Sequence, residues 1–127
     1  MIKINRPTDA ELEILQVLWQ KGPSTVRQVN EALNETRETG YTTTLKLLQI
    51  MFDKGLVERD DAQRKHIYAA AVRESDTQQQ LLRQFVDSTF RGSASRLVMQ
   101  LLGNHNATPQ ELDEIKALIE KLENEDQ

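Results

Sequence analysis

Four polar side chains near the middle of the chain have the types and the spacing needed to read base pairs. They are Thr42, Thr43, Lys46 and Gln49, and in a helix they would share one face. A threonine offers a hydroxyl and a methyl group to thymine, a lysine donates to guanine, and a glutamine can pair with adenine. The same residues are also ordinary on a solvated helix face, so the face alone does not separate the two interpretations.

A short ribbon is predicted directly after this helix. Leu56–Arg59 and Lys65–Ala71 are rich in strand-forming residues and flank a polar stretch at 60–63, a pattern typical of a hairpin. A helix with a polar face followed by such a ribbon is typical of a winged helix that enters a DNA groove. The order of the elements therefore favours DNA binding.

The return strand of the hairpin carries the charges suited to a phosphate backbone. The candidate contacts of the ribbon are Arg59, Arg64, Lys65 and His66, and each phosphate that they neutralise would add affinity that depends on salt. Asp60 and Asp61 at the tip would repel phosphate. We therefore expect the return strand, rather than the tip, to approach the backbone.

Two further helices must support this unit. The first is capped by Thr8 and Glu11 and runs to about Gln20; the second is predicted at about Thr25–Asn34, with Ser24 as its cap. Their apolar residues recur at three and four positions, and the third helix, which ends at Gly55, has a stripe of the same kind. The predicted core residues are Leu12, Leu15, Leu18, Trp19, Val26, Val29, Leu33, Leu45, Leu48, Met51 and Phe52.

Beyond Arg73 the pattern is purely helical. A fourth helix capped by Ser75, a fifth between Gly92 and Gly103, and a sixth opened by Thr108 and Glu111 are predicted. These helices are short and strongly apolar on one side, so we expect them to pair with a second copy rather than fold back on the first domain. The candidate dimerisation residues are Leu82, Phe85, Leu97, Leu101, Ile115, Leu118 and Leu122.

Composition narrows the class of protein. The formal net charge is -4, but residues 1–73 carry 11 Lys and Arg against 10 Asp and Glu, whereas residues 74–127 carry 5 against 10. This division suits a DNA-facing part joined to an acidic partner-facing part. With no cysteine, no disulfide or thiolate metal site can form, and the two histidines have no metal-ligating cluster beside them. No cofactor is expected.

The chain also lacks the signatures of an enzyme and of a membrane protein. It contains no phosphate-binding glycine loop and no nucleophile elbow. It has no apolar run near the ~20 residues of a membrane-spanning helix and no apolar signal peptide. We therefore expect a non-enzymatic, cytoplasmic protein without membrane insertion.

At several points the chain resembles the penicillinase-repressor family of bacterial transcription regulators. The resemblance rests on the order and spacing of Thr8-Asp9-Ala10-Glu11, Val17-Leu18-Trp19, Tyr41-Thr42-Thr43, Lys54-Gly55-Leu56-Val57, Tyr68, Phe85 and Leu97-Val98. It implies a winged-helix repressor that binds inverted-repeat operators as a homodimer. It also implies base-reading roles for Thr42, Thr43 and Lys46, with Tyr41 beside the backbone. Relatives often carry a basic residue where this chain has Ile50, so the resemblance does not supply the operator sequence.

The resemblance further implies two ways of relieving repression. Copper-responsive relatives use C-terminal cysteines, which this chain lacks. In relatives that respond to β-lactams, a membrane sensor metalloprotease cuts a helix that matches Leu97–Leu102, and the corresponding bond here is Gln100–Leu101. The alternative is that Leu101 is simply a core residue.

Together these observations predict a mainly α (α+β) fold, with a winged helix-turn-helix DNA-binding domain at residues 1–73 and a C-terminal helical dimerisation domain at 74–127. A rival of another class is a winged-helix module that docks proteins and binds no DNA. Net acidity favours that rival, whereas the polar face of the third helix and the basic return strand oppose it.

Overall fold

A computed structural model describes residues 6–62, 64–104 and 106–125. The elements along the chain are α1 (Asp9–Lys21), β1 (Ser24–Thr25), α2 (Val26–Asn34), α3 (Tyr41–Lys54), β2 (Val57–Asp60), β3 (Ile67–Ala70), α4 (Glu74–Thr89), α5 (Ala94–Gly103) and α6 (Pro109–Glu125). The chain divides into two compact units, residues 1–81 and 82–127, and the boundary falls within α4. The described part contains no helix that is both long enough and apolar enough to cross a membrane.

The core of the first unit lies between α1, α2, α3 and the small sheet. The apolar stripes of α1 and α2 supply most of it, as their periodicity predicts. The buried hydrophobic cluster comprises Ile14, Leu15, Leu18, Val26, Val29, Leu33, Leu48, Met51, Leu56, Val57 and Tyr68. Trp19 is only partly buried, and its indole N–H donates to the carbonyl of Val72 at 2.9 Å. This bond ties α1 to the chain that leaves the sheet.

The helix starts agree with the predicted caps at α1 but not at α2. Thr8 and Glu11 form the predicted capping box. For α2 the cap is Thr25, whose hydroxyl accepts from the Gln28 amide at 3.1 Å, while the Gln28 side chain accepts from the Thr25 amide at 2.9 Å. The prediction that Ser24 caps this helix is wrong by one residue, and the hydroxyl of Ser24 donates instead to the carbonyl of Gly22.

The sheet has three antiparallel strands in the order β1-β3-β2. The predicted hairpin is confirmed in place, although its strands are shorter than expected, and Arg59 pairs with Tyr68 across it. The third strand, β1, was not predicted. Its two residues are too few to show a period, and it exists because Ser24 and Thr25 pair with Tyr68 and Ile67 of β3.

Helix α3 buries a narrower stripe than its sequence predicts. Leu48 and Met51 are fully buried, whereas Leu45 is only partly buried. Phe52 is wrongly assigned to the core: it is 37 % exposed, and the guanidinium of Arg59 lies 4.4 Å from the centre of its ring. A pairing of this kind favours an aromatic ring near the surface, where it meets a cation. Thr44, near the other end of α3, is fully buried, which the sequence did not predict.

The second unit consists of the end of α4 with α5 and α6. The box of Thr108 and Glu111 before α6 is confirmed by bonds of 3.0 and 3.1 Å. Ser93 caps α5, which follows Gly92 as predicted. Helix α4 begins at Glu74, because the Thr77 amide already donates to the carbonyl of Arg73; Ser75 therefore lies in its first turn and is not its cap.

Candidate nucleic-acid interface

The four candidate base-reading side chains lie on the exposed face of α3. Thr42, Thr43, Lys46 and Gln49 are all exposed, whereas the opposite side of the helix carries the buried Leu48. The buried residues of α3 hold one side of the helix against the core. Because residues three and four apart lie on the same side of a helix, the four polar residues share the opposite, exposed side. The exposed face therefore presents two threonines, a lysine and a glutamine to a partner, together with the exposed Ile50 and Asp53.

The start of α3 is held by α2 rather than by a cap of its own. Its N-cap is Gly40, which has no side chain with which to cap the helix. Instead, the amide of Asn30 donates to the carbonyl of Thr39 and to the hydroxyl of Thr44, both at 2.9 Å. Asn34 accepts from the Thr39 amide at 3.0 Å and donates to the Thr39 carbonyl at 2.9 Å. These contacts attach the polar turn at 35–40 to α2.

The sequence interpretation missed this role of the two asparagines. The signal that could have found them is their spacing, since residues four apart lie on one face of a helix. Asn34 was treated only as the end of the second helix, and Asn30 stands between two apolar stripe positions. Polar side chains beside a buried stripe need hydrogen-bond partners, and here the next turn of the chain provides them.

The hairpin formed by β2, β3 and the turn between them is called the wing. In the wing, the carboxylate of Asp61 contacts two basic side chains. Its carboxylate lies 2.8 Å from Nε of Arg59 and also contacts Nδ1 of His66. The hydrogen bond from His66, and after it the ion pair with Arg59, lower the pKa of Asp61 below its usual value despite the opposing effect of desolvation. Asp60 accepts a hydrogen bond from the amide of Ala62. Asp61 is thus partly neutralised, and its repulsion of phosphate is weaker than its position alone suggests.

Arg64 and Lys65 are exposed at the wing. Within the described ranges, neither side chain forms an ion pair with a carboxylate, and neither does Lys46. Arg64 and Lys65, together with Tyr41, which is 52 % exposed, line an open groove of about 670 Å³ between α2, the start of α3 and the wing. Tyr41, Arg64 and Lys65 are therefore brought together on one surface. Gln63 of the hairpin lies outside the described residues.

No group of three His, Cys, Asp or Glu side chains able to hold a metal ion occurs among the residues that the structure describes. His66 contacts Asp61 alone among the carboxylates there, and His105 lies outside the described residues.

The candidate dimerisation residues lie on helices with little cover in the single chain. Leu82, Phe85, Leu101, Leu118 and Leu122 are exposed, and Leu97 and Ile115 are partly buried. Val86 is the one hydrophobic residue of the second unit counted as buried within the described part. Gln100 and Leu101 both lie within α5, and Leu101 is 48 % exposed.

Comparison with known proteins gives one consistent family. The chain matches the penicillinase repressor family over residues 7–121. It is 25 % identical over 124 residues to the penicillinase repressor of Bacillus licheniformis. The aligned region covers 98 % of this chain and 97 % of that protein. The transcriptional regulator BlaI of Mycobacterium tuberculosis is 41 % identical over 70 residues, covering 54 % of this chain and 51 % of that one.

Solved structures agree on the winged-helix fold. The solution structure of monomeric Bacillus licheniformis BlaI in complex with the blaP half-operator matches with a TM-score of 0.51 and 29 % identity, covering 60 % of this chain and 93 % of that chain. A mutant MarR from E. coli matches with a TM-score of 0.52 at 18 % identity, covering 91 % and 77 %, and supports the fold alone. Because the family match extends over residues 7–121, the chain belongs to the penicillinase repressor family and is a DNA-binding transcriptional repressor, not an enzyme.

Proposed function

We propose that this repressor binds an inverted-repeat operator as a homodimer, with one α3 in the major groove of each half-site. The observation that carries the proposal is the exposed face of Thr42, Thr43, Lys46 and Gln49 on a helix whose other side is fixed in the core. The relative bound to a half-operator supports the same use of the fold. An α-helix fits the major groove, where each base pair presents a distinct pattern of donors and acceptors.

Each side chain on this face has a defined role in the proposal. Lys46 donates to guanine O6 or N7, and Gln49 pairs with adenine N6 and N7. Thr42 and Thr43 contact a thymine methyl group or a base edge close to the start of the helix. The absence of a paired carboxylate for Lys46 within the described residues supports its role, because an internal ion pair would compete with the base.

The groove beside the wing is proposed to hold the phosphate backbone. Arg64 and Lys65 neutralise phosphates, and the phenol of Tyr41 donates to a phosphate oxygen. Such contacts fix the register of the protein on the duplex and carry no sequence information themselves. In this proposal, α3 reads the bases, and the phosphate contacts of the wing supply the part of the affinity that depends on salt.

The homodimer is proposed from the second unit. Its helices α5 and α6 leave large apolar side chains exposed, among them Met99, Leu101, Leu118, Ile119 and Leu122. A second copy would cover them through a self-complementary interface. A two-fold dimer presents two α3 helices, so its operator should be an inverted repeat with half-sites one helical turn, or a multiple, apart.

Repression is proposed to occur by occlusion of a promoter and to be relieved by cleavage at Gln100–Leu101. The bond lies in α5, within the unit proposed to join the two copies. Cutting there would separate two half-site contacts and remove the gain in affinity that comes from their linkage. A membrane sensor metalloprotease is the proposed partner; because the bond lies in a helix, α5 must unwind locally before a protease can bind it.

Selection of genomic fragments by the purified full chain at near-physiological salt tests the proposal. Enrichment of one inverted repeat is the expected result, because two symmetric readers recognise two symmetric half-sites. Fragments should be competed with bulk DNA, so that affinity for any phosphate backbone is subtracted. Enrichment of nothing above bulk DNA would contradict the proposal and favour the protein-docking alternative.

A further inference from the structure

The junction between α2 and α3 contains a chain of hydrogen bonds that attaches the start of α3 to α2. Asn30 donates to Thr44 at 2.9 Å, and the hydroxyl of Thr44 donates to the carbonyl of Gly40 at 3.2 Å. The amide of Asn30 also meets the carbonyl of Thr39, which accepts a second bond from Asn34. Three side chains from two helices thus meet at Thr39 and Gly40, the two residues that precede α3.

These bonds are not duplicated by apolar packing at the same point. The turn at 35–40 contains no apolar residue, and Gly40 gives α3 no side-chain cap. The buried residues of α3 nearest to its start are Thr44 and then Leu48, and between them the partly buried Leu45 is the first apolar residue of α3 that packs against the core. For the first turn of α3, which carries Tyr41, Thr42 and Thr43, the attachment to α2 is therefore made largely by polar groups.

We propose that Asn30 and Asn34 are positioning residues for base reading: they hold the first turn of α3 at the place from which Thr42, Thr43 and Lys46 reach base edges. This inference rests on the proposed function of α3. Hydrogen bonds to bases need donor-acceptor distances of about 2.7–3.2 Å, so a displacement of about 1 Å at the start of the helix removes them. Attraction to phosphates declines slowly with distance and survives such a displacement.

The two kinds of affinity should therefore respond differently. Losing the bonds of Asn30 should lower affinity for the operator much more than affinity for bulk DNA, which would lose at most the phosphate contact of Tyr41. The dependence on salt should be unchanged, because Arg64 and Lys65 lie on the hairpin. A merely structural role would lower both affinities together, in proportion to the fraction of folded protein. The ratio of operator affinity to bulk affinity is the readout that separates positioning from folding.

The test uses Asn30→Ala, Thr44→Val and the double variant, with the selected inverted repeat and bulk duplex as probes. Thr77→Val is the matched control, since Thr77 is a buried threonine of α4, outside the junction. Each single variant should bind the repeat at least about tenfold more weakly, a loss on the scale of one base contact. The double variant should lose less than the product of the two single losses, because both remove the same bond. Thr77→Val should bind as the wild type does, and thermal unfolding confirms that each variant is folded.

The outcomes distinguish failure of this inference from failure of the proposed function. If the wild type selects a repeat but Asn30→Ala keeps its ratio of operator to bulk affinity, the positioning role is overturned and the repressor function stands. If the Asn30→Ala ratio falls only as much as that of Thr77→Val, the positioning role is likewise overturned. If the wild type selects no repeat, both are overturned.

Discussion

At the scale of single residues, the ion pair of the partly exposed Lys54 with the buried Glu11 joins the end of α3 to the start of α1. Glu11 is 2 % exposed, and Nζ of Lys54 donates to its two carboxylate oxygens at 2.8 and 3.0 Å. Burial alone would raise the pKa of Glu11, but the bonds from Lys54 and from the backbone of Thr8 outweigh it, and the pKa lies below the usual value of 4.5. The end of α3 is thus attached to the start of α1.

This pair predicts an effect on stability that depends on pH. Because the folded pKa of Glu11 is lowered, the contribution of the pair is complete above about pH 4.5 and is lost as the pH falls through the lowered value. Lys54→Met leaves a buried carboxylate without its cation, and we expect a loss of about 2–3 kcal/mol at pH 7. The loss should be smaller at pH 4, because without Lys54 the raising effect of desolvation on the pKa of Glu11 is less opposed and the carboxyl is easier to protonate.

Denaturant unfolding at pH 7 and pH 4, at one fixed protein concentration, measures both values. Lys121→Met, in exposed sequence of α6, is the control for removing a lysine charge. An equal loss at the two pH values would contradict the assignment of the effect to Glu11.

A second prediction at the residue scale separates base reading from backbone binding. Lys46→Ala should weaken binding to the selected repeat by about 1–3 kcal/mol and relax its base preference. Arg64→Ala should weaken binding to all duplexes alike and reduce the slope of log K against log salt by about 0.9 for each subunit. The assignment depends on the positions of the two residues, one on the face of α3 and the other on the wing.

Titrations of operator and scrambled duplex over a range of salt concentrations give both quantities. Lys121→Ala is the matched control, since it removes one positive charge far along the sequence in α6. If Lys46→Ala changed the salt slope but left the ratio of operator to scrambled affinity intact, base reading by Lys46 would be wrong.

At the scale of elements, the end of α3 depends on one left-handed residue. Gly55 has φ +83° and ψ 14°, and its amide and that of Leu56 close the helix against the carbonyls of Phe52 and Met51. A Cβ built on Gly55 meets no atom within 4 Å. The requirement for glycine is therefore conformational and not steric crowding by neighbours.

Gly55→Ala should accordingly lower the free energy of unfolding by about 1 kcal/mol. Gly103→Ala is the matched control, because Gly103 has no positive φ and its added Cβ also meets open space. The control should be neutral or slightly stabilising, since alanine favours helix. Thermal or denaturant unfolding measures both; a control that loses as much as Gly55→Ala would refute the conformational explanation.

The elements also show where local patterns are sufficient. The caps at Thr8 and Thr108 and the end of α3 at Gly55 are confirmed because each depends on residues within one turn of the chain. The cap at Ser24 is wrong because Thr25, one residue later, forms a capping box with Gln28, a local pattern that the prediction overlooked. The strand is a different case, because Ser24 pairs with Tyr68, 44 positions away.

At the scale of the whole molecule, the second unit predicts that operator affinity depends on a dimer. Leu118 is 55 % exposed and lies on the apolar face of α6. Leu118→Asp should give a monomer at micromolar concentration and lower affinity for the full repeat at least about a hundredfold, since linkage of the half-sites is lost. Affinity for an isolated half-site should change little.

Analytical ultracentrifugation and titration of full and half operators measure these effects. Ala117→Asp adds the same charge to the same helix about 100° around its axis from Leu118, on the side away from Ile115 and Leu122, and should remain dimeric. If Leu118→Asp were dimeric and bound the repeat normally, the proposed interface in α6 would be refuted.

The sequence by itself determined the helices, the hairpin, the exposed polar face of α3 and the mainly α class, because periodicity, capping and turn chemistry act over a few residues. Only the tertiary structure decided the bonds of Glu11 with Lys54 and of Asn30 with Thr44, the engagement of Asp61 by Arg59 and His66, and the third strand. Most of these contacts join residues from different elements, 14 or more positions apart. Their partners are chosen by the packing of the core, which brings together side chains that no local pattern relates.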